Sequence, residues 1–347
     1  MSVKLGVAVP LREPMEQILE AARLAEQLGY AFVWATDDRL QKDVFSVLAA
    51  IALETQGVQL GPGVTNPYSR QPAMIAAGVA TLDELSGGRA VLGLGAGGTN
   101  HRALGIRRDA PAVALREAIG LIRGLLAGAE ITAHGRFVHA AGARLDFVPP
   151  RAAVPIYVGA RGPRMLELAG ELADGVIVGN VATVEGWRYA LDHVAAGAER
   201  AGRPLDLLQL TAWVYVAIAD ARADALNAVR PLVATSLATS RAILPELGVE
   251  LAPEFAEAME RVGWSVEERA VERAGQLVPE ETLAQFAVAG TPGDCESQLH
   301  ELLDAFPLIR QIVIVPAAAR GQKRSDVIRR FMLEVVPGLT TAAAEAR

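Results

Sequence analysis

Glycine-rich stretches are the feature of this 347-residue chain that most directly suggests binding chemistry. They are Gly61-Pro62-Gly63, Gly95-Ala96-Gly97-Gly98, Gly159-Ala160-Arg161-Gly162 and Gly179-Asn180, and each follows a short apolar run. Glycine lets the backbone approach a flat or phosphorylated ligand closely, and free amides at the start of a following helix favour anions. A tight turn explains any one stretch alone, but the repeated pattern predicts a phosphate-bearing cofactor.

Two adjacent carboxylates, Asp37 and Asp38, follow another apolar run, AFVWAT. In that position they would serve as general acid or base, or as hydrogen-bond partners of a cofactor ring. The alternative is a solvent-exposed acid pair at the entry of a helix, which applies more to Asp38 than to Asp37. Asn66 is open to a similar choice between contacting the cofactor and forming a local Asx turn before Pro67.

The segment GLGAGG at 93–98 also satisfies the GxGxxG pattern of dinucleotide-binding proteins. That pattern normally opens the first strand–helix unit and is followed some 20 residues later by a ribose-binding acid after a second strand. Here three strand–helix units precede it, and the acid at that distance, Glu117, lies inside a helical run. The match is therefore a weak indication of a Rossmann fold.

Metal and hydrolytic chemistry find little support in the sequence. The five histidines have no HExxH spacing, and a single cysteine excludes both an internal disulfide and a thiolate cluster. No GxSxG nucleophile motif is present, and the one cysteine, Cys295, lies in a pattern typical of the first turn of a helix. We expect no metal site.

Charge and hydropathy exclude two further classes of partner. Forty acidic residues against 33 basic ones leave a net charge of -7, without a long basic block, so no nucleic-acid partner is expected. No run of 18 uncharged apolar residues and no signal-peptide pattern occurs. We therefore expect a cytoplasmic protein that acts on a small molecule away from the membrane.

Eight short apolar runs alternate with longer segments of helical period. The runs are residues 4–10, 31–38, 58–68, 89–98, 155–161, 175–180, 210–219 and 311–317. Helical crossovers impose parallel order, and near-continuous apolar strands are typical of a sheet that is buried on both faces. The pattern predicts a (β/α)₈ TIM barrel, whose active site lies at the carboxyl ends of its strands.

Two segments exceed what a minimal barrel needs. Residues 130–150 have the pattern of a hairpin, and residues 221–290 have that of two or three helices. Neither a linker nor a composition break interrupts the middle of the chain. We therefore predict a single domain over 1–347 with two insertions.

Three blocks of sequence closely resemble the bacterial-luciferase-like superfamily. They are GPGVTNPYSRQPAMIAAGVATLDELSGGRAVLGLGAGG (61–98), PIYVGARGPRMLELAGELADGVIVGN (155–180) and GTPGDCESQLHELL (290–303). The shorter segment Thr36-Asp37-Asp38 shares the resemblance. The most similar branch is that of the F420-dependent methylenetetrahydromethanopterin reductases. The resemblance implies a (β/α)₈ barrel that binds the deazaflavin F420, or FMN in sister branches, and that assembles as a homodimer or homotetramer.

The resemblance also assigns roles to individual positions. Asp37 would lie beside the deazaflavin ring, and Gly63-Val64 would be a non-prolyl cis peptide that forms a bulge behind it. The ring or ribityl chain would be lined by Gly95, Ala96 and Gly97. The phosphate would be held by Gly159, Ala160, Arg161, Gly162, Gly179 and Asn180.

Three positions depart from the reductase branch. That branch has His at the position of Asp38, Glu at that of Ala8 and Asp at that of Gly98, so the substrate stays open. The first hypothesis is an F420-dependent oxidoreductase in which Asp38, or a group on 221–290, exchanges the proton that accompanies hydride transfer. The alternatives are an FMN-dependent luciferase-like monooxygenase and an F420-binding protein without turnover.

Overall fold

The computed structural model of this chain describes residues 3–38, 40–97 and 104–339. Gly98, the last position of the GxGxxG pattern and one of the three departures, lies outside these ranges.

The strands and helices alternate along the chain as predicted. The strands are β1 (Lys4–Val9), β2 (Phe32–Ala35), β3 (Gln59–Pro62), β4 (Leu92–Gly95), β5 (Ile131–His134), β6 (His139–Ala143), β7 (Ile156–Ala160), β8 (Gly175–Gly179), β9 (Gln209–Ile218), β10 (Ala287–Gly290) and β11 (Ile309–Pro316). The helices are α1 (Met15–Gln27), α2 (Val44–Glu54), α3 (Pro72–Leu85), α4 (Pro111–Leu126), α5 (Pro163–Leu172), α6 (Val184–Arg200), α7 (Arg222–Ser240), α8 (Pro253–Arg261), α9 (Glu268–Gly275), α10 (Glu280–Phe286), α11 (Pro292–Ala305) and α12 (Arg324–Arg330).

The principal sheet contains the eight predicted strands. Their order is β3-β2-β1-β11-β9-β8-β7-β4, with β10 paired to β9. The pairs β2–β3, β4–β7 and β1–β11 are parallel, and parallel bridges from Leu60 to Ala90 and from Thr65 to Leu94 connect β3 to the segment of β4. The (β/α)₈ fold is therefore confirmed.

The first insertion is the predicted hairpin. Strands β5 and β6 pair antiparallel, with His134 opposite His139. The carboxylate of Glu117, on α4, accepts hydrogen bonds from the backbone N–H groups of Arg136, Phe137 and Val138 at 2.8 to 3.0 Å. One side chain thus holds the hairpin turn to the preceding helix.

The second insertion contains four helices, α7 to α10, instead of the two or three that were predicted, and its last four residues also correct the prediction. Ala287–Gly290 form β10, which pairs in parallel with Tyr215–Ile218 of β9. The sequence AVAG is too short to show a strand period, and only the pairing with a distant strand determines its conformation.

The residues divide into two compact units. One consists of Met1–Val7, Val178–Asp192 and Thr211–Arg347, and the other of Ala8–Ile177 and His193–Leu210. In the first unit, α7 to α10 bury apolar side chains such as Phe255 and Phe286. In the second, fully buried Trp34 stacks on Phe32 and meets Tyr157 edge to face. The single domain stays a prediction.

Within the described ranges, no helix is long and apolar enough to cross a membrane. The same ranges contain no group of three or more His, Cys, Asp or Glu side chains arranged to hold a metal ion.

Candidate functional site

The carboxylate of Asp37 connects the carboxyl ends of β2 and β3. Its Oδ2 accepts hydrogen bonds from Thr65 Oγ1 at 2.6 Å and from Arg70 Nε at 3.1 Å. The Asp37 side chain is 16% exposed. A carboxylate held by two donors in this way has a fixed direction, so the backbone beside it presents a fixed surface to a ligand.

Arg70 places a cation between two carboxylates. Besides Asp37, its guanidinium contacts Asp43 Oδ2 at 2.7 Å. Burial alone would lower the pKa of Arg70, but hydrogen bonds and charge from both carboxylates outweigh burial and raise it. Burial would likewise raise the pKa of Asp43, but hydrogen bonds from Ser46 and the charge of Arg70 lower it. Arg70 and Asp43 are therefore both charged at neutral pH.

Asp38, the predicted catalytic residue, follows Asp37 and is half-buried. The interpretation as a helix-entry acid does not describe it, because Asp43 is the N-cap of α2 and accepts a hydrogen bond from the Ser46 N–H at 2.9 Å. Asp38 therefore lies in the connection between a strand end and a helix, where catalytic side chains of such barrels are found.

Val64 fills the space beside the glycines of β4 and β7. The Gly63-Val64 peptide bond is cis, as the resemblance implied. A Cβ atom on Gly95 would lie 2.5 Å from Val64 Cγ2, and one on Gly159 would lie 3.0 Å from Cγ1. These two glycines therefore make room for Val64, a role that was not predicted from the sequence, where ligand approach was the expected reason for both.

The loop after β4 depends on a glycine conformation. Gly97 has a φ of +82°, which side chains rarely adopt, and its carbonyl accepts a hydrogen bond from Arg108 Nη1 at 3.1 Å. Ala96, the residue before it, is half-buried. The chain therefore turns sharply where the cofactor ring is expected.

Asn66 uses its side chain within its own turn. Its Oδ1 accepts hydrogen bonds from the N–H groups of Tyr68 (3.0 Å) and Ser69 (2.9 Å), and its Nδ2 donates to Ser69 Oγ. The side chain is almost fully buried. The structure therefore matches the Asx-turn alternative, while direct contact of Asn66 with a cofactor stays a prediction.

The start of α5 follows the glycine stretch at the end of β7. Gly162 is the N-cap and supplies no capping side chain, and Pro163 has no N–H to donate. Ala160 is buried, whereas Arg161 and Gly162 are half-buried. The positive end of the helix dipole is thus not covered by a capping side chain, which suits an anion.

Gly179 ends β8 and Asn180 follows it, in the unit that contains residues 178–192. A Cβ atom on Gly179 would meet no atom of the described residues within 4 Å. Asn180 has a φ of +55°, and its Nδ2 donates to Tyr215 Oη at 3.0 Å and to Ser236 Oγ at 3.3 Å. Its side chain therefore belongs to a polar cluster formed by Asn180, Tyr215 and Ser236.

Arg70, Tyr215 and Ser236 are among the residues of these networks that were not predicted from the sequence. Arg70 lies in an irregular segment, and nothing local relates it to Asp37, 33 positions earlier. A hydroxyl within the apolar run of β9 was the one available signal for Tyr215. Ser236 is buried inside α7. The sequence around it does not distinguish it from a serine on the exposed face of a helix.

Comparison with known proteins gives matches over nearly the whole chain. The sequence model of the luciferase-like monooxygenase family matches residues 2–307. A 5,10-methylenetetrahydromethanopterin reductase of Methanolobus tindarius is 35% identical over 334 residues, which are 95% of this chain and 99% of that protein. The enzyme of the same name from Archaeoglobus fulgidus is 34% identical over 321 residues, 91% and 94% of the two chains.

A solved structure also matches this chain over nearly its whole length. The coenzyme F420-dependent tetrahydromethanopterin reductase of Methanopyrus kandleri superposes with a TM-score of 0.84 at 28% sequence identity. The superposition covers 97% of this chain and 99% of that one.

Proposed function

This chain belongs to the luciferase-like monooxygenase family, and we propose that within it the protein is an F420-dependent oxidoreductase that transfers a hydride between the deazaflavin and a small organic substrate. The observation that carries the proposal is the full-length structural match to a coenzyme F420-dependent reductase, at an identity above one quarter.

The residues present fit a flat, phosphate-bearing cofactor. Val64 and the glycine backbone beside it form a wall from which no long side chain projects at Gly95 or Gly159. The amino end of α5 has no capping side chain, which suits a phosphate. Beyond Gly179, the described residues leave space for a ligand.

When bound, F420 supplies a ring carbon that accepts or gives up a hydride. The chain's own residues would bind and orient it: Gly159 to Gly162 hold the phosphate, and Gly95 to Gly97 lie along the ring or ribityl chain. Asp37 is held by Thr65 and Arg70 and fixes the strand ends beside the ring. Such positioning is a principal contribution of a protein to cofactor chemistry.

Asp38 would hold or release the proton that balances hydride transfer, at its carboxylate oxygen. At the position where the reductase branch has Glu, Ala8 lies fully buried in β1 and offers no acid. The proposal therefore assigns proton exchange to Asp38 and extends to the reaction class, while the substrate of the named relatives is not carried over.

Parallel titrations of the apoprotein with F420, FMN and NADPH test the proposal. We expect F420 to bind with the lowest Kd. The quenching of each ligand's fluorescence on binding measures the Kd values. Tighter NADPH binding would overturn the cofactor assignment, and tighter FMN binding would favour a monooxygenase. A protein that binds F420 but turns over none of a broad panel of alcohols, ketones and imines would be a binding protein.

Two further properties belong to this proposal. We propose that the protein acts in the cytoplasm on a small-molecule substrate, and that it assembles as a homodimer or homotetramer. Light scattering of the purified chain measures the assembly directly.

A further inference from the structure

The connection between β2 and α2, residues 36–43, carries Asp38, and one side chain joins its two ends. The guanidinium of Arg70 contacts Asp37 Oδ2 at 3.1 Å and Asp43 Oδ2 at 2.7 Å. Asp43 is also the N-cap of α2, so this end of the connection is fixed to the helix as well. Asp38 therefore lies in a short stretch of chain that is held at both of its ends.

Two further hydrogen bonds join this connection to the chain at and after the end of β1. The N–H of Thr36 donates to the carbonyl of Val9 at 3.2 Å. The ammonium of Lys42 donates to the carbonyls of Glu13 at 2.7 Å and Leu11 at 3.3 Å. Leu11 is fully buried, so the stretch that Lys42 contacts is itself held by packing.

The chemistry of Lys42 suits this role. An ammonium has three N–H donors, so it can bridge two carbonyls of a turn. Holding a long, half-buried lysine side chain in one conformation costs up to about 2 kcal/mol of side-chain entropy. Both acceptors are neutral carbonyls, so the contact joins two stretches of backbone. Lys42 thereby determines where the connection that carries Asp38 lies relative to the end of β1.

We infer that Lys42 is a positioning residue for Asp38. It affects proton exchange through the position of the connection 36–43, and not through contact with the reacting atoms. The inference rests on the proposed function, since that proposal assigns proton exchange to Asp38. Displacing a reacting group by about 1 Å can lower a rate by about 10². A side chain that fixes this connection is therefore expected to change the rate of turnover more than the binding of the cofactor.

Lys42→Met tests this expectation, because it keeps the apolar stem and removes all three donors. We expect the Kd for F420 to stay within about twofold, and the rate of single-turnover hydride transfer to fall about ten- to hundredfold. The rate is measured with the first compound of the panel that the wild type converts. A variant as fast as the wild type would overturn the inference.

The double variant Lys42→Met with Asp38→Asn shows whether Lys42 acts through Asp38. If it does, removing the carboxylate also removes the benefit of positioning it. We then expect the double variant to be as slow as Asp38→Asn alone, within about twofold. Multiplication of the two separate losses would show that Lys42 acts on turnover by another route, which contradicts the inference.

Hydrogen exchange supplies a measurement that needs neither cofactor nor substrate. The amide of Thr36, bonded to the carbonyl of Val9, reports on separation of the connection from the end of β1. We expect this amide to exchange roughly three- to tenfold faster in Lys42→Met, the effect of about one lost hydrogen bond. Unchanged exchange would mean that Lys42 does not hold the connection in place.

The matched control is Arg203→Met, at the opposite end of α5 from Gly162. Arg203 is another half-buried cation that donates to two backbone carbonyls, those of Gly170 at 3.0 Å and Ala173 at 2.7 Å. We expect this variant to lose stability in urea as Lys42→Met does, with unchanged hydride transfer and unchanged exchange of Thr36. An equally slow Arg203→Met would make the effect one of general destabilisation and overturn the inference.

A second variant covers the case in which Lys42→Met fails to fold. Lys42→Gln keeps two N–H donors on a side chain that is one bond shorter. We expect hydride transfer to fall at least about threefold, the effect of one weakened hydrogen bond. The double variant with Asp38→Asn should again be no slower than Asp38→Asn alone. An unchanged rate in Lys42→Gln, or an additive loss in the double variant, would overturn the inference.

The two proposals fail in different ways. If the wild type binds no F420 or converts no compound of the panel, the proposed function fails, and this inference with it. If the wild type turns over and Asp38→Asn is as fast, proton exchange lies at another group and the inference fails with that assignment. If Asp38→Asn is slow but Lys42→Met is as fast as the wild type, only the inference fails.

Discussion

The hydroxyl of Thr65 donates a 2.6 Å hydrogen bond to the carboxylate of Asp37. The backbone of Thr65 also pairs with β4, because its N–H donates to the carbonyl of Gly93 and its own carbonyl accepts from the N–H of Gly95, both at 2.9 Å. One residue therefore connects the ends of β2, β3 and β4. A change at this point is expected to reach all three strand ends that face the proposed cofactor.

Arg70→Ala removes the cation between Asp37 and Asp43. We expect the free energy of unfolding to fall by about 1–2 kcal/mol, since a charge-assisted, partly exposed network is lost. The Kd for F420 should rise, because Asp37 keeps only Thr65. Urea unfolding and fluorescence titration measure the two effects.

The matched control for this change is Arg23→Ala, which breaks a 3.0 Å pair with Glu54 between two side chains that are both more than 40% exposed. We expect it to change stability by less than about 0.5 kcal/mol. Equal losses of stability in the two variants would show that the contacts of Arg70 with Asp37 and Asp43 stabilise the protein no more than an exposed ion pair does.

Gly95→Ala places a Cβ atom against Val64. We expect a loss of about 1–3 kcal/mol of stability from overpacking, together with weaker F420 binding. Gly179→Ala is the control, since its Cβ meets no described atom, and should leave stability unchanged while weakening F420 binding. Adding Val64→Ala to Gly95→Ala should recover stability, and strict additivity of the two changes would contradict this explanation.

Gly162→Asp puts a carboxylate at the N-cap of α5. The helix should persist or become more stable, because Asp is a favourable N-cap. The Kd for F420 should rise at least about tenfold through repulsion of the phosphate, whereas the Kd for Fo, the deazaflavin without its phosphate, should not change. Unchanged F420 binding in a folded variant would place the phosphate elsewhere, and Gly162→Asn controls for side-chain size.

Asp38→Asn keeps the shape of the side chain but removes its acid–base capacity. We expect the Kd for F420 to stay within twofold, and the rate of single-turnover hydride transfer to fall by about 10² to 10⁴. The rate is measured with the first compound of the panel that the wild type converts. A variant as fast as the wild type would move proton exchange to another group, such as one on 221–290.

Cys295 should resist thiol reagents in the native protein. Burial, and then the nearby charge of Asp294, raise the pKa of its thiol to about 12, against about 8.5 in an unfolded chain. The folded state thus holds this proton more tightly, and its contribution to stability is complete below pH ~8.5 and lost as pH rises towards 12. Mass spectrometry should detect alkylation at pH 8.5 only after urea is added.

The sequence was sufficient to predict the fold because the information is local. Each barrel strand is a buried apolar run, as in β9, where nine of ten residues are buried. Each run is followed by a segment whose apolar residues recur with the period of a helix. The strand β10 was missed because its four residues carry no period of their own. Its conformation comes from pairing with Tyr215–Ile218, which lie about 70 residues earlier.

The site was predictable in position but less so in detail. Chain position alone placed Asp37 and Asp38 at a strand end. It did not show that Arg70 would hold Asp37, that Val64 would occupy the space beside Gly95, or that the amide of Asn180 would be turned towards Tyr215. These relations depend on the direction of side chains that meet only after folding.

The contact of Val64 with Gly95 and Gly159 also limits how this chain can evolve. A side chain at Gly95 would bring its Cβ atom to 2.5 Å from Val64, so we expect that mutation to be deleterious until position 64 has become smaller, whereas one at Gly159 would bring its Cβ atom to 3.0 Å and need only a small shift of Val64. The order of substitutions then matters, and these three positions form an epistatic group. Variation in substrate choice is consequently expected at positions outside this group, such as Ala8 and Asp38, where a lineage can change one residue at a time.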